Sequence, residues 1–538
     1  MTARSRRFAR PVVATLALAA CCMTAHAQTF YQRLAGFQLD DQFQDIRTVR
    51  AGGAIAVGAT TTPDGTRDFY IVRTAPSGDP AWIRVLAWPG DDIAYSVQEV
   101  ADGFVVAGET RGDGDSDLNL AVAKLDPAGN LLWAFRYTGA YMGDTVHAEN
   151  PGPTVRRAPD EFEPLETTIT HRVFQNALPS YLALDNAGNI VVQRFYFATS
   201  PRQEGEAELS FTDHRFSQDS GDLRVTGTIQ SQPIGAPAGF AIRDIAYVRI
   251  APPTGAVTFS AAYAPFPTPP GEPESPVDAW GHAITLTPEG VAIAGDTTLG
   301  ASFLSIGNAA HYVMQLDDPG NVLNMVNALP QQDPGSVGFG ALALEEQPPV
   351  LVVAGRNNAS GTGFTTAFDF PSLAPVWAHN YGRVPARLDA IVDSPECGLL
   401  AAGRWNAADF AFGNDDAWWL STQDGGPETG CFDQPRDLEA NEGGAEPLDF
   451  QMSIDGLDNR IPWPVDPAGP EPVARVLCDA PCCPADLAPP FGVLDFFDVL
   501  EFLSLFSAND PAADLAPPFG VWDFFDVLEY LSLFDAGC

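Results

Sequence analysis

A short pattern of alternating small apolar residues that ends in glycine recurs between positions 53 and 403. Its clear copies are GAIAVG at 53–58, GFVVAG at 103–108, GVAIAG at 290–295, LVVAG at 351–355 and GLLAAG at 398–403. The closing glycines are therefore Gly58 and Gly108 near the start, and Gly295, Gly355 and Gly403 near the end, at similar spacings. Period-two alternation bounded by turn residues is typical of β-strands. The repeat therefore predicts a chain that uses one β unit several times.

A second pattern follows each copy of the first. It consists of a strand, a turn with proline and glycine or serine, and a strand that often carries tryptophan, with Trp82, Trp133 and Trp377 at matching places. Between 108 and 295 the first pattern blurs, and Gly188–Val192 and Asp222–Gly227 are its candidate copies. No segment of this region keeps a helical period, so the patterns together predict antiparallel strands.

Four strands in each repeat of this length are typical of β-propeller blades. A ring of blades removes most open sheet edges. We therefore predict a mainly β fold, a six- or seven-bladed β-propeller over residues 28–431, with a Pro-rich insertion near 141–179. An array of β-sandwiches is the alternative. The segment DDIAYSV at 91–97, with GFVVAG and KLDPAGNLLW, resembles the repeats of bacterial extracellular β-propeller proteins.

The N-terminal segment 1–27 has the layout of a signal peptide. Four arginines precede the apolar stretch 12–20, and Ala25-His26-Ala27 provides an A-x-A cleavage site. We expect cleavage after Ala27 and a location outside the cell or at its surface. The segment ending at Cys21 resembles a lipobox, so a lipoprotein anchored at Cys21 is the alternative. No other apolar run reaches the roughly 18 residues that a membrane-spanning helix needs.

The net charge of the chain limits the classes of partner that it is expected to bind. Its 538 residues carry a net charge of −40, and all of the cationic side chains except Lys124 are arginine. Such a surface repels phosphate backbones, so nucleic acid is not expected as a partner. The length is sufficient for two or three structural units.

The end of the chain repeats itself. Residues 486–506 read DLAPPFGVLDFFDVLEFLSLF and residues 514–534 read DLAPPFGVWDFFDVLEYLSLF. Each copy predicts a loop followed by a helix that is apolar nearly all round and must be buried on more than one side. Residues 432–480, rich in proline, glycine and acidic side chains, are predicted to be a linker with one or two short strands before this module at 481–538.

The duplicated loop and helix resemble a dockerin, closest to the GC-type variant that ends in Gly-Cys, as Gly537-Cys538 does. The resemblance implies docking to a cohesin-like or other envelope protein through 481–538. The aromatic residues expected to contact this partner are Phe496, Phe497, Phe502, Phe524, Phe525 and Tyr530. It also implies calcium, although alanine and proline replace the middle ligands of a dockerin loop.

Two interpretations of the module's aspartates stay open. A weak calcium site would use Asp486, Asp495 and Asp498, and in the second copy Asp514, Asp523 and Asp526. Alternatively these carboxylates cap the helix N-termini. The alternate aspartates Asp113, Asp115 and Asp117 raise the same question, since they suit either a calcium loop or a solvated hairpin.

Six cysteines follow the signal segment: Cys397, Cys431, Cys478, Cys482, Cys483 and Cys538. An even number in an exported chain favours disulfides over zinc. Cys397 and Cys431 could form one bridge, and one of Cys478, Cys482 and Cys483 could close onto Cys538.

The sequence contains none of the common catalytic motifs in a plausible context. The cluster Asp213-His214-Arg215 is interpreted as part of a polar strand, and Trp418-Trp419 as blade core rather than a sugar platform. We therefore expect a non-enzymatic binding or scaffold protein with an unknown propeller ligand, held in place by its C-terminal module. An extracellular polysaccharide hydrolase or lyase on the same fold is the alternative.

Overall fold

The structure is a computed structural model. It describes 29–36, 39–88, 90–112, 118–137, 154–157, 167–173, 178–199, 206–232, 241–252, 254–265, 278–298, 309–330, 341–346, 349–357, 361–381, 386–394, 398–406, 415–422, 433–435, 438–442, 445–448, 451–455, 460–462, 473–481, 496–508, 513, 522 and 524–536. Residues 28–482 form one compact unit, and 483–538 belong to a second.

The first unit is a β-propeller built from antiparallel four-strand meanders. Numbered in chain order, the strands of the first three blades are β2 (Asp41–Thr48), β3 (Ala54–Thr61), β4 (Arg67–Thr74) and β5 (Pro80–Leu86); β6 (Gly90–Val100), β7 (Gly103–Gly112), β8 (Leu118–Leu125) and β9 (Leu131–Tyr137); and β10 (Thr154–Arg157), β11 (Thr167–Val173), β12 (Leu178–Leu184) and β13 (Ile190–Thr199).

The remaining blades continue in the same order. Their strands are β14 (Glu206–Ser217), β15 (Asp222–Ser231), β16 (Ile242–Ala251) and β17 (Ala256–Pro265); β18 (Ala279–Thr287), β19 (Gly290–Thr298), β20 (Ala309–Asp317) and β21 (Val322–Pro330); β22 (Ala341–Glu346), β23 (Pro349–Asn357), β24 (Thr362–Asp369) and β25 (Pro375–Tyr381); and β26 (Ala386–Ser394), β27 (Gly398–Trp405) and β28 (Asp416–Thr422).

The expected six or seven blades correspond to two ways of counting this ring. The described strands form six hydrogen-bonded sheets. One of these sheets has ten strands and contains two successive meanders, joined only where Ala198 and Thr199 of β13 pair with Ala207 and Glu206 of β14. Counted by meanders, the blades number seven, and each first strand packs against the blade before it.

The ring is closed by the N-terminal strand. Strand β1 (Thr29–Gly36) pairs antiparallel with β28 and so supplies the fourth strand of the seventh blade, beside a strand from the far end of the propeller sequence. Apolar residues from facing blades fill the space between sheets. Trp418 and Trp419 are buried in this core, as their interpretation as blade core requires.

Residues 433–481 add a fifth strand to nearly every blade. Their strands are β29 (Asp433–Pro435), β30 (Leu438–Glu442), β31 (Ala445–Leu448), β32 (Gln451–Asp455), β33 (Arg460–Pro462) and β34 (Val473–Pro481). They pair in turn with the outermost strands β25, β21, β17, β13, β9 and β1. The segment, here called the strap, therefore runs around the ring from the sixth blade to the second and ends on the seventh.

The strap differs from the expected linker with one or two short strands. Its composition discourages a core, but backbone pairing at an open sheet edge needs only N–H and C=O groups and no apolar pattern. The expected insertion at 141–179 differs in a similar way, because its described part contains β10 and β11, the first two strands of the third blade. The candidate Gly188–Val192 lies at a turn and the start of β13, an outermost strand, whereas Asp222–Gly227 lies in β15, the second strand of its blade, as do the clear copies of the pattern.

The second sequence pattern corresponds to a contact between neighbouring blades. The indole N–H of Trp82, on an outermost strand, donates to the carbonyl of Pro127 in a turn of the next blade, and Trp133 donates in the same way to Asn186. The receiving turn is itself fixed, since the Asp126 carboxylate accepts the N–H groups of Ala128 and Asn130. At Trp82 and Trp133 the recurring tryptophan and the recurring turn are therefore two halves of one inter-blade contact.

The second unit contains two helices, α1 (Phe496–Ala508) and α2 (Phe524–Ala536). They occupy the same positions in the two copies of the C-terminal repeat, as predicted. Among the described residues, no helix has the length and apolar character to cross a membrane.

Candidate functional site

The two C-terminal helices pack through one of the few positions at which their copies differ. Phe502 of α1 and Tyr530 of α2 are buried, and their rings stack with centroids 3.9 Å apart and planes 9° from parallel. Val499, Leu505, Trp522, Val527 and further apolar residues pack around them. Two of the six predicted partner-binding residues therefore lie inside the module, where they hold the helices together.

The other four predicted partner-binding residues lie on the surface of the module. Phe496 and Phe497 are 67% and 60% exposed, and their counterparts Phe524 and Phe525 are 67% and 59% exposed. Leucines extend both faces: Leu500, Leu503, Leu528 and Leu531 are between 45% and 50% exposed. Each helix thus presents a matching apolar face of two phenylalanines and two leucines, here called the helix faces.

The aspartates of the module divide into two groups. Asp498 and Asp526, in the first turns of α1 and α2, are fully buried. Asp486, Asp495, Asp514 and Asp523 lie outside the described residues, and so do Asp113, Asp115 and Asp117. The described ranges contain no group of three or more side chains that could hold a metal ion. Calcium binding by the module stays a prediction.

The cysteine predictions rest mostly on residues that the structure does not describe. Cys478 lies in β34, opposite Gln32 of β1. Cys397, Cys431, Cys482, Cys483 and Cys538 lie outside the described residues, as does the segment 1–27 with Cys21 and the expected cleavage site. The disulfide and signal-peptide interpretations therefore stay predictions.

The propeller surrounds a central channel, which is lined by the first strand of each blade. In five of these strands one extra residue forms a β-bulge, and the side chain of each bulged residue is half-buried. The bulged residues are Gln44, Tyr95, Thr212, His282 and Asp389. Thr212 donates to the carbonyls of Thr226 and Gly281, and His282 pairs with Asp296, so two of these side chains bond to neighbouring strands.

The closing glycine of the sequence repeat lies opposite each bulge. A Cβ atom added to Gly227 would lie 1.8 Å from the carbonyl oxygen of Ser210, and one added to Gly295 would lie 1.8 Å from that of Trp280. The same collision occurs at Gly58, Gly108 and Gly403. The glycine is therefore required by the close approach of the first strand. The repeat was visible in the sequence, but the bulged residue at a near-constant distance before it was not recognised.

The charge of one blade acts on a side chain of a blade that is not its neighbour. Burial raises the pKa of Tyr95 on the second blade, the charge of Glu109 raises it further, and the charge of Arg387 on the seventh blade opposes this. The carboxylate of Asp389 is paired with Arg387.

A buried pair of carboxylates lies between the first and second blades. Asp68 is 6% exposed and Asp92 is fully buried. Burial, and then the charges of Asp64 and Asp91, raises the pKa of Asp68 to about 7. Burial, with the charge of Asp68 among the other causes, raises the pKa of Asp92 to about 7 as well. The folded propeller therefore holds protons here that the unfolded chain releases near pH 4.

This pair predicts that the protein loses stability as the pH rises. A carboxyl group whose folded pKa exceeds its unfolded pKa contributes most below pH 4, and the contribution is lost as the pH passes through 7. We expect Asp92→Asn and the wild type to melt at the same temperature below about pH 4, and the advantage of Asp92→Asn to grow with pH and reach about 2–4 °C at pH 8. In the wild type the Asp92 carboxylate accepts the backbone N–H of Trp88 at 3.1 Å. The side-chain amide oxygen of the asparagine can still accept this hydrogen bond. Thermal unfolding at several pH values measures the difference.

The matched control for this prediction is Asp219→Asn, in an exposed turn between β14 and β15. It removes the same charge from the surface and should leave the pH profile unchanged. An Asp92→Asn profile parallel to that of the wild type between pH 5 and 8 would show that the folded protein does not hold a proton on Asp92 in this range.

Comparisons with known proteins add little beyond these observations. No protein-family profile matches the chain, and no curated protein matches it. Among solved structures, hydrazine synthase of Kuenenia stuttgartiensis aligns with a TM-score of 0.41 and 11% identity over 70% of this chain and 95% of that chain. Sqt1 of Chaetomium thermophilum aligns with a TM-score of 0.37 and 14% identity over 70% and 82%. At these scores neither similarity indicates what the propeller binds. The propeller fold is assigned from the order of the strands in the sheets.

Proposed function

We propose that this protein is an exported, non-enzymatic β-propeller that binds or scaffolds, and that the C-terminal helix pair docks it onto an envelope or extracellular partner protein. The propeller fold is compatible with a binding role. The observation that carries the docking half is the pair of helix faces. Eight large apolar side chains stay exposed on two short helices, while Phe502 and Tyr530 already provide their common core.

Exposed phenylalanines in such number favour a protein partner with an apolar, cohesin-like surface. A small module that leaves apolar side chains exposed gains stability when a partner covers them. Aromatic residues also dominate the binding energy of many protein interfaces. The acidic surface of the rest of the chain disfavours anionic partners and keeps the unbound protein soluble.

The test replaces Phe496, Phe497, Phe524 and Phe525 with alanine in the full-length protein. Alanine preserves the helices and removes only the exposed rings. In the producing cells, we expect the fraction of the protein that stays with the envelope to fall about tenfold or more, which corresponds to the loss of about 1.4 kcal/mol or more of binding free energy. Cell fractionation followed by quantification of the protein in envelope and medium measures this.

The matched control removes four exposed apolar side chains from the propeller instead, namely Leu132, Val191, Leu323 and Val376, which are 39% to 51% exposed. This variant should stay with the envelope like the wild type. The proposal is wrong if the helix variant stays bound as well. It is also wrong if sedimentation shows that the helix faces only join two copies of this chain.

A further inference from the structure

Two arginines occupy equivalent places on strands that belong to different blades. Arg47 lies on β2 and Arg215 on β14, and each follows by two positions an aspartate next to a bulge, Asp45 or Asp213. Both arginine side chains are largely buried, with 18% and 19% of their surface exposed. The sequence segments Asp-Ile-Arg and Asp-His-Arg therefore build the same local structure twice.

The aspartates of these segments hold neighbouring blades together. Asp45 accepts the Val97 N–H at 3.1 Å and the Ser96 hydroxyl at 2.9 Å, both on the first strand of the next blade. Asp213, in the fourth blade, accepts the backbone N–H of Ile284 in the fifth blade at 3.2 Å. Each carboxylate is thus fixed at a blade seam and satisfies only part of the guanidinium beside it.

Both guanidinium groups keep donors for a further partner. Arg47 uses Nε and Nη2 on Asp45, at 3.3 and 3.1 Å. Arg215 uses Nη1 alone, on the Asp213 carboxylate at 2.6 Å and the His214 carbonyl at 2.9 Å. Within the described part of the chain, Nη1 of Arg47 and Nε and Nη2 of Arg215 make no hydrogen bond. An arginine offers five N–H donors in a planar fork, so each side chain is left with N–H groups to donate.

The two arginines occupy matching positions on the first strands of two blades that are not neighbours, the first and the fourth. Burial lowers the pKa of Arg215, Asp213 opposes this, and the positive charge of Arg47 lowers the pKa further. Arg47 belongs to the first blade and Arg215 to the fourth, so only the channel can bring their charges within reach of each other. Asp45 and Asp213 offset part of the repulsion between these two cations, and an anion that accepts their remaining N–H donors would offset more of it.

We propose that a small oxyanion, a carboxylate or phosphate group, binds in the central channel between Arg47 and Arg215. Planar guanidinium groups bind such oxygens through paired, charge-assisted hydrogen bonds. Two arginines with free N–H donors contrast with the chain as a whole, which carries a net charge of −40. This proposal is independent of the C-terminal module, and it gives the propeller a ligand class of its own.

The experiment titrates the full-length protein with inorganic phosphate and, separately, with malonate, in a buffer of constant ionic strength set with chloride. We expect saturable heat in calorimetry for at least one probe and a melting temperature that rises with its concentration. The two probes distinguish a phosphate ligand from a carboxylate ligand. No saturable binding of either probe would overturn the proposal.

Substitutions at the two arginines locate the site. Arg47→Gln and Arg215→Gln should each weaken binding about tenfold or more, since each removes a charged hydrogen-bonding partner. Arg47→Lys and Arg215→Lys keep the charge beside each aspartate and should weaken binding less. They serve as the test if the glutamine variants fail to fold.

The control for these variants is Arg84→Gln, because Arg84 donates to the carbonyls of Gly129 and Ala128 in a turn on the outer side of the blades. This variant should bind the probe like the wild type. If all four channel variants also bind like the wild type, the anion binds elsewhere and the proposal is wrong.

Discussion

Gly227→Ala is expected to prevent the propeller from folding, or to lower its melting temperature by about 10 °C or more. The added methyl group would lie 1.8 Å from the carbonyl oxygen of Ser210 and 3.0 Å from the Cα of Phe211. Both atoms belong to the backbone, so no side-chain rotation relieves the collision. The first strand would have to move away, and with it the bulge at Thr212 and the seam at Asp213.

A second glycine separates this collision from ordinary backbone strain. Gly221 lies in the turn before the same strand, has φ +69°, and would bring its Cβ within 4 Å of no other atom. Gly221→Ala should therefore cost only the left-handed backbone penalty of about 1–2 kcal/mol. Thermal unfolding of the two variants beside the wild type measures the comparison. If the two variants lose the same melting temperature, the first strand can move away at little cost. The repeated glycine would then not be explained by the close approach of that strand.

Removal of the strap is expected to have the other large effect. A chain that ends at residue 432 loses β29 to β34, which leaves the outermost strands of six blades with open edges. Strand β34 alone pairs with β1 at eight positions, from Thr29 opposite Pro481 to Gly36 opposite Val473. We expect a melting temperature at least about 10 °C lower and aggregation of the exposed edges.

The matched control ends the chain at residue 482. It removes the helix module and keeps every strand of the strap, so the propeller should melt like that of the full-length protein. Unfolding followed by circular dichroism and light scattering distinguishes the two truncations. If the chain that ends at 432 is as stable as the chain that ends at 482, the strap only lies along the blades and does not stabilise the ring.

Both results would show that backbone contacts contribute strongly to the stability of the ring. The closing glycines let the first strand of each blade approach the second, and the strap satisfies N–H and C=O groups at the outer rim. Apolar burial between the blades supplies the general driving force. The backbone contacts decide which strands pair and in what register.

The helix module was the part of the chain whose internal structure the sequence predicted most directly. The duplication, the helical spacing and the apolar surplus are all local, and they led to two equivalent helices that share a core. Which of the six aromatic candidates would be buried and which exposed did not depend on local sequence. Phe502 and Tyr530 became core residues because the helices pack through them, whereas Phe496 and Phe524 were left outside.

The sequence by itself determined the β unit, its approximate repetition and the C-terminal duplication, because each of these depends on residues within a few turns or strands of one another. Only the tertiary structure decided the ring closure by β1 and the path of the strap, because pairing between distant strands uses backbone groups that every residue carries. The same reason applies to the channel. Arg47 and Arg215 are far apart in sequence, on the first and fourth blades, and only the closed ring of blades brings their charges together.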